Sequence, residues 1–194
     1  MKQMITLIKK SSYKESLWKN GKGLTRQIAI FPKNATVAAN DFLWRISSAK
    51  VSQSDQFSHF PHCERQLVVW SGIGLLINGK PLLPNSPLTF SGEENIHCDL
   101  INDSPVVDLG IIYKKELIQA SLKVLRVTTP ATIDLNPGIH FLFLAIGDGC
   151  IIGENNLEVG DTLKIKNEEE SEEEITISSQ SHSSLTFYQF TISI

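Results

Sequence analysis

Two stretches of this chain repeat one another, and that repeat narrows the fold more than any other feature. Gly72-Ile73-Gly74-Leu75-Leu76-Ile77 resembles Gly147-Asp148-Gly149-Cys150-Ile151-Ile152. The likeness continues at the same offset without a gap: Leu82 matches Leu157, Leu88 matches Leu163, Phe90 matches Ile165, and Asn85-Ser86 falls where Gly160-Asp161 falls. A chain that repeats itself in this way is built from two halves of similar construction. Most of the sequence reads as short strands separated by Gly, Pro, Asn and Asp turns, the pattern of an all-β sandwich or barrel. Only Lys114–Lys123, with Leu117, Ile118 and Leu122 apolar, has a helical pattern, and it lies where a short helical linker between halves is expected.

The first half holds most of the candidate chemistry. Alternate residues of a strand share a face, so parity sorts side chains into two sets. Arg26 shares parity with Ile28 and Ile30; Arg45 and Ser47 with Leu43, Ala49 and Val51; Arg65 with Leu67 and Val69. Phe42, Trp44 and Ile46, then Val68 and Trp70, fill the opposite faces. Both faces are largely apolar, which places three arginines in or at the mouth of an enclosed space. A guanidinium there needs an anion, either a protein carboxylate such as Asp41, Glu64 or Asp108 or one carried by a ligand.

Charge and cysteine usage exclude several function classes. Eighteen basic residues against 21 acidic ones give a net charge of −3, and no basic cluster supports nucleic-acid binding. No apolar run approaches the ~20 residues that cross a bilayer, and Met1–Lys10 lacks the pattern of a signal peptide, so the expected location is cytoplasmic. The three cysteines contain no Cys-x-x-Cys pair and read as free thiols rather than zinc or redox ligands. The acidic run Glu168–Glu174 reads as a solvated loop. His140, beside Phe141 and Phe143, reads as a satisfied structural histidine.

The Leu157-Glu158-Val159-Gly160-Asp161 turn in the second copy resembles the turn found in cupin barrels. The fold expected is therefore an all-β bicupin, two tandem cupin-like β-barrels or sandwiches of the RmlC-like type. Residues 1–113 form the first half and 114–194 a degenerate second, the two packing as a single compact unit. Metal-binding cupins gather histidines and a glutamate from neighbouring strands. The nearest candidates are His59, His62, Glu64 and His97, but His59 and His62 are three apart and Pro61 lies between them. That spacing does not converge on a metal. The same residues define the alternative reading, a cupin-type isomerase or metal-dependent oxygenase.

Longer motifs carry a more specific resemblance. Trp18-x-Asn20-Gly21-Lys22-Gly23-x-Thr25-Arg26-x-Ile28, Phe42-x-Trp44-Arg45-x-Ser47-x-Ala49, Phe57-Ser58-x-Phe60-Pro61 with Arg65, and Phe90-x-Gly92-Glu93 resemble the pattern of the HutD/Ves family. Lys22, His62 and Gly110 depart from it, Gly110 standing where the family usually has Asn. The resemblance implies a cytoplasmic bacterial, cupin-like protein associated with histidine utilisation, or a Ves-like stress-response protein, with no established enzyme activity and no cofactor. Together with the arginine argument, it implies a pocket for a small carboxylate such as urocanate or formylglutamate. Arg45 and Arg65 bind the anion there, Asn20, Ser47 and Ser58 donate hydrogen bonds, and Trp18, Trp44 and Phe60 form the walls; the alternative for Trp44, of opposite parity to Arg45, and for Phe60, beside a turn proline, is packing in the core. Fold analogy adds a homodimer made by strand pairing.

Overall fold

The computed structural model describes residues 4–18, 23–168, 173–179 and 184–193; Asn20 and His182 lie outside them, as does the middle of the acidic run. The described residues form strands, two short 3₁₀ turns and no α-helix. The strands begin with β1 (Met4–Ile8), β2 (Lys14–Leu17), β3 (Gly23–Phe31), β4 (Trp44–Val51), β5 (Asp55–Gln56) and β6 (Cys63–Ser71). They continue with β7 (Leu75–Ile77), β8 (Lys80–Leu82), β9 (Leu88–Ser91), β10 (His97–Leu100), β11 (Val106–Lys114) and β12 (Gln119–Thr128). The last are β13 (Ala131–Leu135), β14 (Gly138–Ile146), β15 (Cys150–Ile152), β16 (Asn155–Leu157), β17 (Thr162–Asn167), β18 (Glu173–Ser178) and β19 (Ser184–Ser193).

The chain divides into two compact units, one Tyr13–Ile118 and the other Met1–Ser12 with Gln119–Ile194. In the first, a six-stranded sheet (β2-β3-β4-β11-β6-β9) faces a four-stranded one (β5-β10-β7-β8), and Val51, Leu67 and Val69 pack against Leu75, Ile77 and Cys98 between them. In the second, a five-stranded sheet (β1-β17-β14-β19-β12) faces a four-stranded one (β13-β18-β15-β16) over Leu142, Leu163, Phe187, Ile133, Ile175 and Ile177. All three cysteines are buried and free. His140 is buried too, its Nε2–H donating to Asn136 O at 2.7 Å and its Nδ1 accepting from Thr191 Oγ1 at 3.2 Å. No helix among the described residues is long and apolar enough to cross a membrane.

The sequence repeat is a repeat of elements. β6, β7 and β8 recur as β14, β15 and β16 at one constant offset, and the hairpin register recurs with them: Leu75 faces Leu82 as Cys150 faces Leu157. The glycines that open each copy, Gly72 and Gly74, then Gly147 and Gly149, all have positive φ. Asn85 and Gly160 occupy equivalent turn positions and share that conformation, at φ 61° and 93°; asparagine is the side chain that tolerates it best.

Two expectations change. Lys114–Lys123 is not helical: after Lys114 the chain makes a turn and then enters β12, which pairs with β19 from Gln119–Ser193 to Thr128–Ser184. Ile118 and Leu122 are buried, but Leu117, the third apolar residue of the supposed helix face, is exposed. A spacing of four satisfies a strand's period of two as well as a helix's 3.6, and the ladder to β19 decides between them. The division at residue 113 also left the N-terminus in the first half, whereas β1 pairs with β17, Ile5 opposite Ile165.

Asp161 fastens that N-terminal segment. Its side chain is wholly buried and accepts Lys10 N–H at 2.9 Å, Lys9 Nζ at 2.9 Å and Glu158 N–H at 3.0 Å. Burial alone pushes the carboxyl up, but these donors outweigh it and hold the group below its ordinary value. A depressed carboxylate stabilises the fold at pH values above its unfolded pKa, and that contribution disappears as pH falls through the folded value. Asp161→Ala is expected to cost about 2–4 kcal/mol in urea unfolding at pH 7. The gap between variant and wild type should narrow below about pH 4.

Candidate functional site

The site is built by register. Ile112 of β11 lies opposite Arg45 of β4 on one side and Arg65 of β6 on the other, and Arg65 lies opposite Phe90 of β9. Residues directly opposed across antiparallel strands point to the same face. Arg45 and Arg65 therefore rise on the same side of the sheet, their Cα atoms about 10 Å apart, two strand spacings. The next row along that face is Ser47, Gly110 and Leu67, and the row after it Ala49, Asp108 and Val69. All of these but Val69 floor a cavity of ≈ 520 Å³ whose walls include Phe57, Ser58, Phe60 and Trp18. The exposed side chains of Leu17 and Val37 stand at its rim.

Both guanidiniums are held by neutral groups. Arg45 is 8% exposed and its Nε donates to Gln27 Oε1 at 3.1 Å. Arg65 donates from Nη1 to the Ser58 carbonyl at 3.1 Å. Three rings surround its guanidinium, those of Phe57, Phe90 and Phe60, at 4.9, 5.0 and 5.5 Å. Burial lowers each arginine to about 10, opposed by Asp108. Both remain cations at neutral pH.

Asp108 supplies the negative charge in this cavity floor. It is 6% exposed, and its Oδ1 accepts Ala49 N–H at 3.0 Å. Burial raises its carboxyl to about 7 against the pull of that hydrogen bond and of Arg65 and Arg45. Among the described residues no ion pair joins either arginine to a carboxylate. Two cations and one hard-to-ionise acid thus share a cavity with unspent capacity to bind an anion.

Arg45, Ser47, Ser58, Phe60 and Arg65, all anticipated from sequence, line this cavity together; Asn20 lies outside the described residues. Trp18 joins them and donates from Nε1 to Thr25 Oγ1 at 2.8 Å. Trp44 does not: it lies on the other face of β4, stacked on Phe31 at 5.9 Å. Arg26 is the main correction. A β-bulge between Gln27 and Ala29 shifts the register of β3, so the parity linking Arg26 to Ile30 is broken. Gln27 faces Ser47 inside, and Arg26 turns outward to Glu15, Nε to Oε1 2.7 Å.

The residues of the enzyme alternative do not converge. His59 and His62 are exposed, His97 Nε2 lies 3.1 Å from Asp99 Oδ1, and Glu64 accepts the Tyr113 hydroxyl. No cluster of three His, Cys, Asp or Glu suited to a metal occurs among the described residues. Sequence reasoning missed Gln27, Phe57 and Phe90 as site residues. Phe57 and Phe90 were visible only as motif positions, because their meeting at Arg65 depends on strand pairing.

The HutD family model matches residues 10–186. The chain is 32% identical over 124 residues to an uncharacterised 21.2 kDa protein in the hutC 3′ region of Pseudomonas putida. It is 32% identical over 114 residues to the Ves protein of Citrobacter koseri. These matches cover 61% and 56% of this chain and 63% and 58% of the relatives, so the chain spans about three fifths of their length. The structure of HutD from Pseudomonas fluorescens SBW25, in a formate condition, superposes with a TM-score of 0.78 at 25% identity, covering 98% of this chain and all of that one. A Pseudomonas aeruginosa PAO1 protein of unknown function, PA5104, gives 0.84 at 24% over the same shares. The nickel(II) complex of the Escherichia coli pirin YhhW, a cupin-like protein, gives 0.60 at 11%, covering 97% and 98%, which shows the fold alone.

Gly110 and Arg26 give contrasting expectations. A Cβ on Gly110 would stand 2.6 Å from the Gln66 carbonyl, so Gly110→Ala is expected to lose about 1–3 kcal/mol in urea unfolding. The exposed Arg26 pair is expected to contribute less than about 1 kcal/mol, so Arg26→Ala should unfold close to wild type.

Proposed function

Because the chain belongs to the HutD family, we propose that it is a non-enzymatic bicupin that binds a small carboxylate and modulates histidine utilisation. The reading rests on one observation: Arg45 and Arg65 share a cavity face, and no ion pair to a carboxylate closes either one among the described residues. Arg45 and Arg65 take the carboxylate, Ser47 and Ser58 add hydrogen bonds, and Phe60 and Trp18 cover its apolar part. Asn20 belongs to the same proposal through its place in the motif.

The ligand class fits acids of the urocanate and formylglutamate kind, and the setting is cytoplasmic, without nucleic acid or membrane as partner. A homodimer formed by strand pairing completes the proposal. The equal identity to a Ves protein supports a second reading, a Ves-like stress-response role.

Thermal unfolding with urocanate, histidine, formylglutamate, glutamate and formate tests the function. A ligand of the folded state present at 100 times its Kd adds about 2.7 kcal/mol. A clear rise in melting temperature with one carboxylate is expected, and Arg45→Ala should weaken that ligand about tenfold or more, since a hydrogen bond to a charged group contributes roughly 1.5–3 kcal/mol. No rise with any of the five acids would remove the link to histidine breakdown and favour the Ves-like reading.

A further inference from the structure

We propose that Asp108 is the resident counter-anion of the Arg45–Arg65 site, so that a ligand carboxylate enters together with one proton, which Asp108 takes up. The inference deepens the carboxylate-binding reading and rests on it. Asp108 lies on the cavity floor, in β11, between the strands that carry the two arginines. Its charge is supported by one backbone N–H and by the field of two guanidiniums that form no ion pair with it.

The groups facing Asp108 make this competition specific. β4 presents Arg45 and β6 presents Arg65, the two cations acting on it. β3 presents Thr25 and Gln27, neither of which titrates. β10 contributes Cys98, a buried thiol raised to about 12 by burial and then by Asp108, Asp99 and Asp55, so it stays neutral. β5 contributes Asp55 at the cavity wall, a second negative charge and no relief for the first. The two arginines therefore supply the cationic support of the Asp108 carboxylate among these neighbours.

A carboxylate bound to Arg45 and Arg65 cancels that support and adds a like charge. A like charge at close range disfavours ionisation, and shifts of about 1–3 units are ordinary for such neighbours. The proton comes from solvent and adds to a carboxylate oxygen of Asp108; no other bond forms or breaks. Unliganded Asp108, near 7, is largely protonated at pH 6 and largely ionised at pH 8. An anion meets a neutral acid at the lower pH and a rival anion at the higher one.

Calorimetric titration of the full chain with formate tests this at pH 6, 7 and 8, each in two buffers of different ionisation enthalpy. Uptake of more than about half a proton per formate is expected at pH 8 and close to none at pH 6, with Kd about five- to tenfold weaker at pH 8. Asp108→Asn keeps an acceptor for Ala49 N–H, and should bind formate with a pH-independent Kd and no proton uptake. Formate binding that Arg45→Ala abolishes, but that takes up no proton and has equal Kd at pH 6 and pH 8, overturns the inference and leaves the carboxylate reading standing. No formate binding at any pH overturns both. Should Asp108→Asn fail to fold, the wild-type proton count decides alone.

Discussion

The antiparallel register of β11 between β4 and β6 is the constraint on which the site depends. It puts Arg45, Ile112 and Arg65 in one row, and sets Ser47, Gly110 and Asp108 in the rows that follow. A slip of one residue in either ladder would send a whole set of side chains to the other face. That slip would turn Glu64 or Trp44 toward the cavity and expel an arginine. The apolar content of both faces resists it: Leu67, Val69 and Ile112 are buried on the cavity side, and Ile46, Val68, Leu109 and Ile111 on the opposite side. Burial of these residues at once fixes the fold and aims the arginines.

Given that register, the electrostatics follow from desolvation. Charged groups on an apolar sheet face lose water, and the sheet offers only partial replacement. Arg45 receives one amide oxygen from Gln27; Arg65 receives one carbonyl and three aromatic faces. Phenylalanine rings hold a guanidinium in place and leave its outward N–H groups uncommitted, which suits a cation meant for something else. Asp108 bears the opposite strain, since burial raises it while the two cations pull it down. The second unit shows what a fully answered buried acid looks like: Asp161 has three donors and is depressed. The difference between these two aspartates is the number of hydrogen bonds each receives, and it separates a structural carboxylate from one left open to change.

Strand parity in the sequence sorted Arg45 with Ser47 and Ala49, and Arg65 with Leu67 and Val69, because β4 and β6 are regular across them; that the two arginines share one face is set by Ile112 of β11 opposite both. Parity misplaced Arg26 because a bulge in β3 inserts a residue between Gln27 and Ala29, and a bulge carries no reliable signature in a single sequence. The repeat was legible as one gapless offset, since each copy needs glycine or asparagine at the same positive-φ positions; its hairpin register is seen only in the strand pairing. The segment after Lys114 was not legible, because its apolar spacing satisfies two periodicities at once and the strand that pairs with β12 lies about seventy residues further on.

The sequence by itself determined an all-β chain, its internal repeat, its family pattern and which neighbours on their own strands Arg45 and Arg65 share a face with. These are local properties: alternation, turn chemistry and motif spacing act over a few residues. Tertiary structure alone decided that β1 joins the second unit, that Phe57, Phe60 and Phe90 surround Arg65, and that Asp108 answers both arginines without pairing with either. Those outcomes depend on which strands lie side by side and at what distance. Pairing across long stretches of chain is selected by total burial and hydrogen bonding, quantities that no local pattern contains.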